Sequence, residues 1–277
     1  LQTKMLEIWN ILKDQVSIQF FRKVNIVRGN IIEDVKRIFE VFNVDKLDDF
    51  LELKAKEMEL SYYRKSDKVK TNPIDILSWK YYCYHLSKND ESKLCAFDKD
   101  ADVNALTSEL NGAFRVNKNT VNVTKSILNK YGIRFLIVNK VGQVPVDGMS
   151  FWIDESPTII ITERIASIDN FAFTTLHEVG HVFKHLTPNG RAMINLVEEK
   201  KSIEESEADE FALNAILPHT DWKRFMTRTR DVVPYKIAPH IKEEADKHNL
   251  NPQLLFGRYK HDIGIYKIKN FFETKIQ

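Results

Sequence analysis

The chain has 277 residues, 43% of them hydrophobic and 29% charged, with a formal net charge of +2. That supplies a core for one large domain or two modest ones, and the near-balance of charge gives no electrostatic argument for a nucleic-acid or membrane partner. No apolar run reaches the roughly 18 residues of a membrane span, and the N-terminus lacks the basic-then-apolar layout of a signal peptide.

Residues 1–100 read as helices. Leu6, Trp9, Leu12 and Val16 recur at helical spacing. Asn30, with Glu33 three residues on, opens a second helix as a capping box, with Ile31, Val35, Ile38, Phe39 and Phe42 on its apolar face. Asp45 caps a third, carrying Leu47, Phe50, Leu51 and Leu53. Asn72-Pro73 is a cap followed by a first-turn proline, and the aromatic run Trp79, Tyr81, Tyr82, Tyr84 behind it reads as a packed helix face. Of the two cysteines, Cys83 falls here and Cys95 just beyond. Their separation fits no zinc or redox motif, so reduced thiols in a cytoplasmic protein are expected. A chain that opens on Leu1 rather than Met reads as a fragment.

Two further helices are expected over 100–114 and 121–131, the second stopped by Gly132. The pattern then changes. Residues 133–138, 149–153 and 158–162 are β-rich, and Asp154-Glu155-Ser156-Pro157 suits a turn joining an antiparallel pair. Three strands followed by helices make an α+β arrangement, with a boundary near residue 100.

The chemistry is concentrated in His177-Glu178-Val179-Gly180-His181. Two histidines four apart share one helix face, one turn apart, and both can reach one Zn²⁺. Glu178 would sit beside the metal, placed to take a proton from water, and Gly180 leaves room for a close neighbour. Ser167 or Asp169 can cap this helix, and Thr187-Pro188-Asn189-Gly190 ends it. The pattern also arises by chance on ordinary surface helices. A catalytic zinc needs a third protein ligand. His185 is excluded as a partner of His177, because eight residues of helix rise about 12 Å. It reads as a surface residue or an outer neighbour of the ligands. The acidic run from Ser202 to Ala212 is the better source. Glu205 and Asp209 share a face four apart, so Glu205 could ligate while Asp209 bonds the free nitrogen of a ligand histidine. Spacing leaves Glu204 and Glu207 as alternatives, and Ser202 with Glu205 also fits a plain capping box.

The run Phe173-Thr174-Thr175-Leu176 leading into His177–His181, and the run Glu205–Ala212 followed by Leu217-Pro218, resemble the two metal motifs of the ImmA/IrrE metallopeptidases. The resemblance is strong over residues 121–218 and extends to the Leu254–His261 run. More loosely, Tyr63-Arg64-Lys65-Ser66 and the Trp79 helix resemble the linker of longer members, which carry an Xre-type helix-turn-helix domain not evident here. The resemblance implies a gluzincin-like site: one Zn²⁺ on His177, His181 and Glu205, with Glu178 as general base. It implies residues 1–100 as a helical linker or partner-binding region and 101–277 as the metallopeptidase domain, its small, mainly antiparallel sheet packed on the active-site helix. It also implies a protein substrate of repressor or antitoxin type. An extended substrate could add to the sheet edge. Arg258, Tyr259 and His261 are candidate donors to a developing oxyanion. The competing reading is a regulator that uses the same fold only to bind a partner, and a weaker one gives the N-terminal helices a partner such as a toxin.

Overall fold

The computed structural model describes residues 2–62, 72–140, 146–163, 165–188, 190, 192–196 and 202–277. The Tyr63–Ser66 run noted above lies outside the described residues. The chain divides into two compact units. One comprises Leu1–Glu91, Val138–Val146 and Leu196–Lys200; the other comprises Ser92–Ile137, Asp147–Asn195 and Lys201–Gln277.

The first unit carries α1 (Gln2–Leu12), α2 (Ile18–Lys23), α3 (Ile31–Phe42), α4 (Leu47–Tyr62) and α5 (Pro73–Lys88). The spacing from Leu6 to Val16 predicts one helix, but the chain turns after Leu12. Val16 reaches the core from the link, while Leu6 faces solvent. α3 starts as its sequence dictates, with Asn30 Oδ1 accepting from the Glu33 amide at 3.3 Å. Its face is Val35, Ile38 and Phe42, all buried. On α4 Phe50 is buried but Leu51 is exposed, contrary to expectation, because they are adjacent and a helix turns about 100° per residue. Asn72 Oδ1 accepts from the Ile74 amide at 3.0 Å, and Pro73 stands in the first turn. The aromatic stripe of α5 is a packing face: Tyr81 stacks on Phe42 and Tyr82 meets Phe20 edge-on. Among the described residues of this unit, one charged side chain is fully buried. Asp34 accepts from the amides of Arg28 and Gly29 at 2.9 and 2.8 Å and from Arg37 Nη2 at 2.6 Å. Cys83 and Cys95 are both free thiols.

The second unit begins with α6 (Val103–Val116), capped by Asp102, and α7 (Thr120–Lys130). Gly132 follows α7 at φ +75°, and a Cβ there would meet the Phe97 backbone at 2.5 Å, so no other residue fits the stop. Among the described residues four strands follow, not the three expected: β1 (Arg134–Val138), β2 (Val146–Ile153), β3 (Ser156–Thr162) and β4 (Met193–Leu196), in the order β1-β3-β2-β4. β4 is four residues long, too short to show an alternating pattern. β2 and β3 form an antiparallel hairpin, pairing Ile153 with Ser156 and Gly148 with Ile161. Its turn is Asp154-Glu155, with Asp154 at φ +51°, so Ser156 and Pro157 belong to the strand.

Between β3 and β4 runs α8 (Ile168–Lys184). After β4 come α9 (Ile203–Ile216), α10 (His219–Thr229), a short 3-10 turn (Pro234–Lys236), α11 (Ala238–Lys247) and α12 (Pro252–Asp262). α8 is the hub, packing on β3, α6, α9 and α12. Phe171 sits edge-on to Phe114 and Phe135, and Leu176 and Val179 are fully buried. The C-terminal segment ties back onto the unit. Thr274 O accepts from the Ile168 amide at 2.7 Å, Lys275 O from Asn117 Nδ2 at 2.8 Å and Gln277 O from the Thr120 amide at 2.7 Å. The architecture is α+β, a helical N-terminal region preceding the part that bears the sheet. Among the described residues no helix is long and apolar enough to cross a membrane.

Candidate metal centre

α8 delivers its histidines from the interior. His177, Glu178 and His181 are all buried. Ser167 holds the cap position but makes no side-chain cap bond; the carbonyl of Thr274 takes the Ile168 amide instead. Asp169 accepts from Gln253 Nε2 at 3.0 Å. Gly180 is what lets α9 approach, since a Cβ there would stand 3.1 Å from Phe211 of that helix. α9 opens with Ser202 Oγ accepting from the Glu205 amide at 3.2 Å. The capping reading and the ligand reading of Glu205 are therefore compatible: its backbone is capped while its carboxylate faces α8.

The ring nitrogens His177 Nε2 and His181 Nε2 lie 3.0 Å apart. Glu205 Oε2 is 3.1 Å from the first and Glu205 Oε1 is 3.2 Å from the second. Donors at about 2.0–2.1 Å from a tetrahedral zinc are separated from one another by about 3.3 Å. The observed spacings match that edge. Among the described residues this is the one group of three such side chains that could hold a metal ion. Of the three acidic alternatives, Glu205 faces both histidines, Glu207 Oε2 faces His185 Nε2 at 2.9 Å, and Glu204 is not in the group. Asp209 Oδ1 lies 2.9 Å from His177 Nδ1, on the side away from Glu205.

The electrostatics favour positive charge at this point. Burial would lower the His177 pKa, but hydrogen bonds to Asp209 and Glu205 overturn that and lift it to about 10. Burial would raise Glu205, yet its bonds to His177 and His181 take it down to about 2. A donor set that grips a proton so firmly suits a cation.

Glu178 is different in kind. Its carboxylate oxygens have no hydrogen-bond partner among the described residues. Burial raises its pKa to about 8, opposed by the charge of His177 and by the nearby Ser150 hydroxyl, which lies outside hydrogen-bond geometry. β2 supplies its surroundings. A Cβ at Gly148 would fall 2.5 Å from Glu178 Oε1, so the carboxylate occupies space that only glycine leaves open. Sequence reasoning missed Gly148 and Ser150, because a strand-to-helix contact leaves no local signal.

Two of the expected oxyanion donors, Arg258 and His261, have partners outside the metal group. Arg258 is buried, donating from Nη1 to the carbonyls of Leu213 and Leu217 at 2.9 Å each, with its guanidinium over Trp222. Tyr259 lies in the core, and His261 is exposed, facing Asp262 Oδ1 at 3.2 Å. Among the described residues no hydrogen bond joins these three to His177, Glu178, His181 or Glu205.

A search of the curated proteins finds no match to the chain. Residues 129–249 match the model of the peptidase M78 family, described as the IrrE N-terminal-like domain. That span runs from the end of α7 through α11 and includes α8 and α9 with every residue of the group above. The helix pair that assembles two histidines and a glutamate thus lies in the matched segment, and residues 129–249 form a metallopeptidase-like domain similar to the IrrE N-terminal-like domain.

Proposed function

We propose that the chain is a zinc-dependent endopeptidase. The observation that carries the reading is the convergence of His177 Nε2, His181 Nε2 and the Glu205 carboxylate at tetrahedral-edge spacing, next to a buried carboxylate with no hydrogen-bond partner among the described residues. Those three residues would hold the ion and Glu178 would not. A Zn²⁺ ion bound there supplies Lewis acidity, polarising a carbonyl and acidifying water.

The protein's own groups do the rest. Glu178 takes the proton of the attacking water and passes it to the leaving amine nitrogen. Asp209 fixes the ring of His177 by accepting from Nδ1–H, which leaves Nε2 free to ligate. An extended peptide would add at an edge of the sheet, β1 or β4 by strand order. We take the substrate to be a DNA-binding regulator of repressor or antitoxin type in the cytoplasm, on the family likeness, with no direct nucleic-acid contact by this chain.

The test is zinc content and thermal shift of the wild type beside His177→Ala, His181→Ala and Glu205→Ala. One zinc per chain, lost in all three, supports the site. Glu178→Gln should keep the metal and lose about 10²–10⁴-fold in turnover. A wild type that binds no zinc moves the reading to a regulator that binds a partner.

A further inference from the structure

His181 has two ring nitrogens with separate tasks. Nε2 faces His177 and Glu205. Nδ1 lies 2.9 Å from Nδ1 of His185, one turn further along α8. Two ring nitrogens at that distance share one proton, so one donates and the other accepts. His185 Nε2 in turn lies 2.9 Å from Glu207 Oε2. The side chain of His185 is only 9% exposed, whereas that of Glu207 is 51% exposed.

Only one direction of bonding satisfies every atom. To ligate through Nε2, neutral His181 must carry its proton on Nδ1. It then donates to His185 Nδ1, which must be a bare acceptor. The proton of His185 is thereby placed on Nε2, where it meets the Glu207 carboxylate. In the reverse direction His181 would point an Nε2–H at the metal position, and His185 would turn a lone pair toward an anion.

We propose that His185, itself oriented by Glu207, is the positioning residue that holds His181 in its Nε2-ligating tautomer. The inference rests on the metal site proposed above. Asp209 does the same for His177 directly, so each ligand histidine has an outer acceptor, one charged and one neutral. The interposed imidazole keeps the Glu207 charge one ring away from His181 and makes His181 the less basic ligand of the two.

The test uses the full chain. Zinc affinity is measured by competition with a chromogenic chelator for wild type, His185→Ala and His185→Asn, with metal-free thermal unfolding as the folding control. Asparagine places Oδ1 where Nδ1 stood, so it keeps an acceptor. His185→Ala should weaken zinc binding about 10–100-fold, and His185→Asn should recover most of that. Long-range ¹H–¹⁵N spectra of the zinc-loaded wild type should show protons on His181 Nδ1 and His185 Nε2. Unchanged affinity in His185→Ala overturns the proposal, as does a His185 proton on Nδ1. Equal losses in the alanine and asparagine variants overturn the acceptor role. A wild type that takes up no zinc overturns the metal reading, and this inference with it.

Discussion

Glu178 and Gly148 share one small volume, and that contact decides how the carboxylate is held. The carboxylate lies where a β-carbon at 148 would stand, 2.5 Å from Oε1. Gly148→Ala should push Glu178 out of position while leaving His177, His181 and Glu205 untouched. The expected result is normal zinc content with turnover reduced at least about tenfold, since a misplaced base forfeits part of a general-base contribution of about 10²–10⁴. Equal turnover in the two proteins would mean that the carboxylate has room to spare. Arg258 is the opposite case, a charged residue whose geometry fits a brace. It feeds two carbonyls at the C-terminal end of α9, where helical carbonyls lack partners of their own. Arg258→Leu should destabilise the fold by about 1–3 kcal/mol per stranded carbonyl, read as a fall in Tm, with turnover of the folded protein unchanged. Unchanged Tm with lower kcat would return Arg258 to the chemistry.

The pair α8 and α9 is the element on which the site depends. Gly180 and Phe211 set the spacing of the two helices, and with it the reach of Glu205 toward His177 and His181. Gly180→Leu should overpack the contact, cost about 1–3 kcal/mol and weaken zinc binding, and Phe211→Ala in the same chain should restore part of both. A double variant no better than the single one would place the strain elsewhere. What sequence could anticipate here was local. The four-residue spacings His177–His181 and Glu205–Asp209 fix shared helix faces whatever the rest of the chain does. The rise argument that separated His185 from His177 is local too, and the structure finds its partner in His181, one turn away. The caps Asn30, Asn72 and Ser202 were readable for the same reason. Contacts made across the fold were not: Gly148 beneath Glu178, Thr274 on the start of α8, Arg258 on the end of α9. Short or weakly patterned elements were also missed, among them β4 and α2.

Across the whole chain, stability and pH are linked through buried charge. Burial would raise the Asp34 carboxyl, but the Arg28 amide, the Arg37 guanidinium and the Gly29 amide together hold it below its usual range. An acid that is stronger when folded binds fewer protons folded than unfolded, so it stabilises the fold above the unfolded pKa of about 3.9. That contribution falls away as pH drops through the lower, folded value. Asp34→Asn should cost about 1.5–3 kcal/mol at neutral pH and flatten the acid limb of a Tm profile. A variant with the wild-type acid limb would assign that limb to other carboxylates. The C-terminal segment has a different consequence, one of timing. The first amide of α8 is accepted by Thr274 O, and β-bridge contact joins Ser167 to Lys275. During synthesis α8 leaves the ribosome well before that acceptor exists. Its histidines are present early, but the bond that fixes where the helix begins is made only after Thr274 emerges. A nascent chain stalled before Thr274 would hold His177, His181 and Glu205 without that register, so the candidate site is completed only once Thr274 has been made.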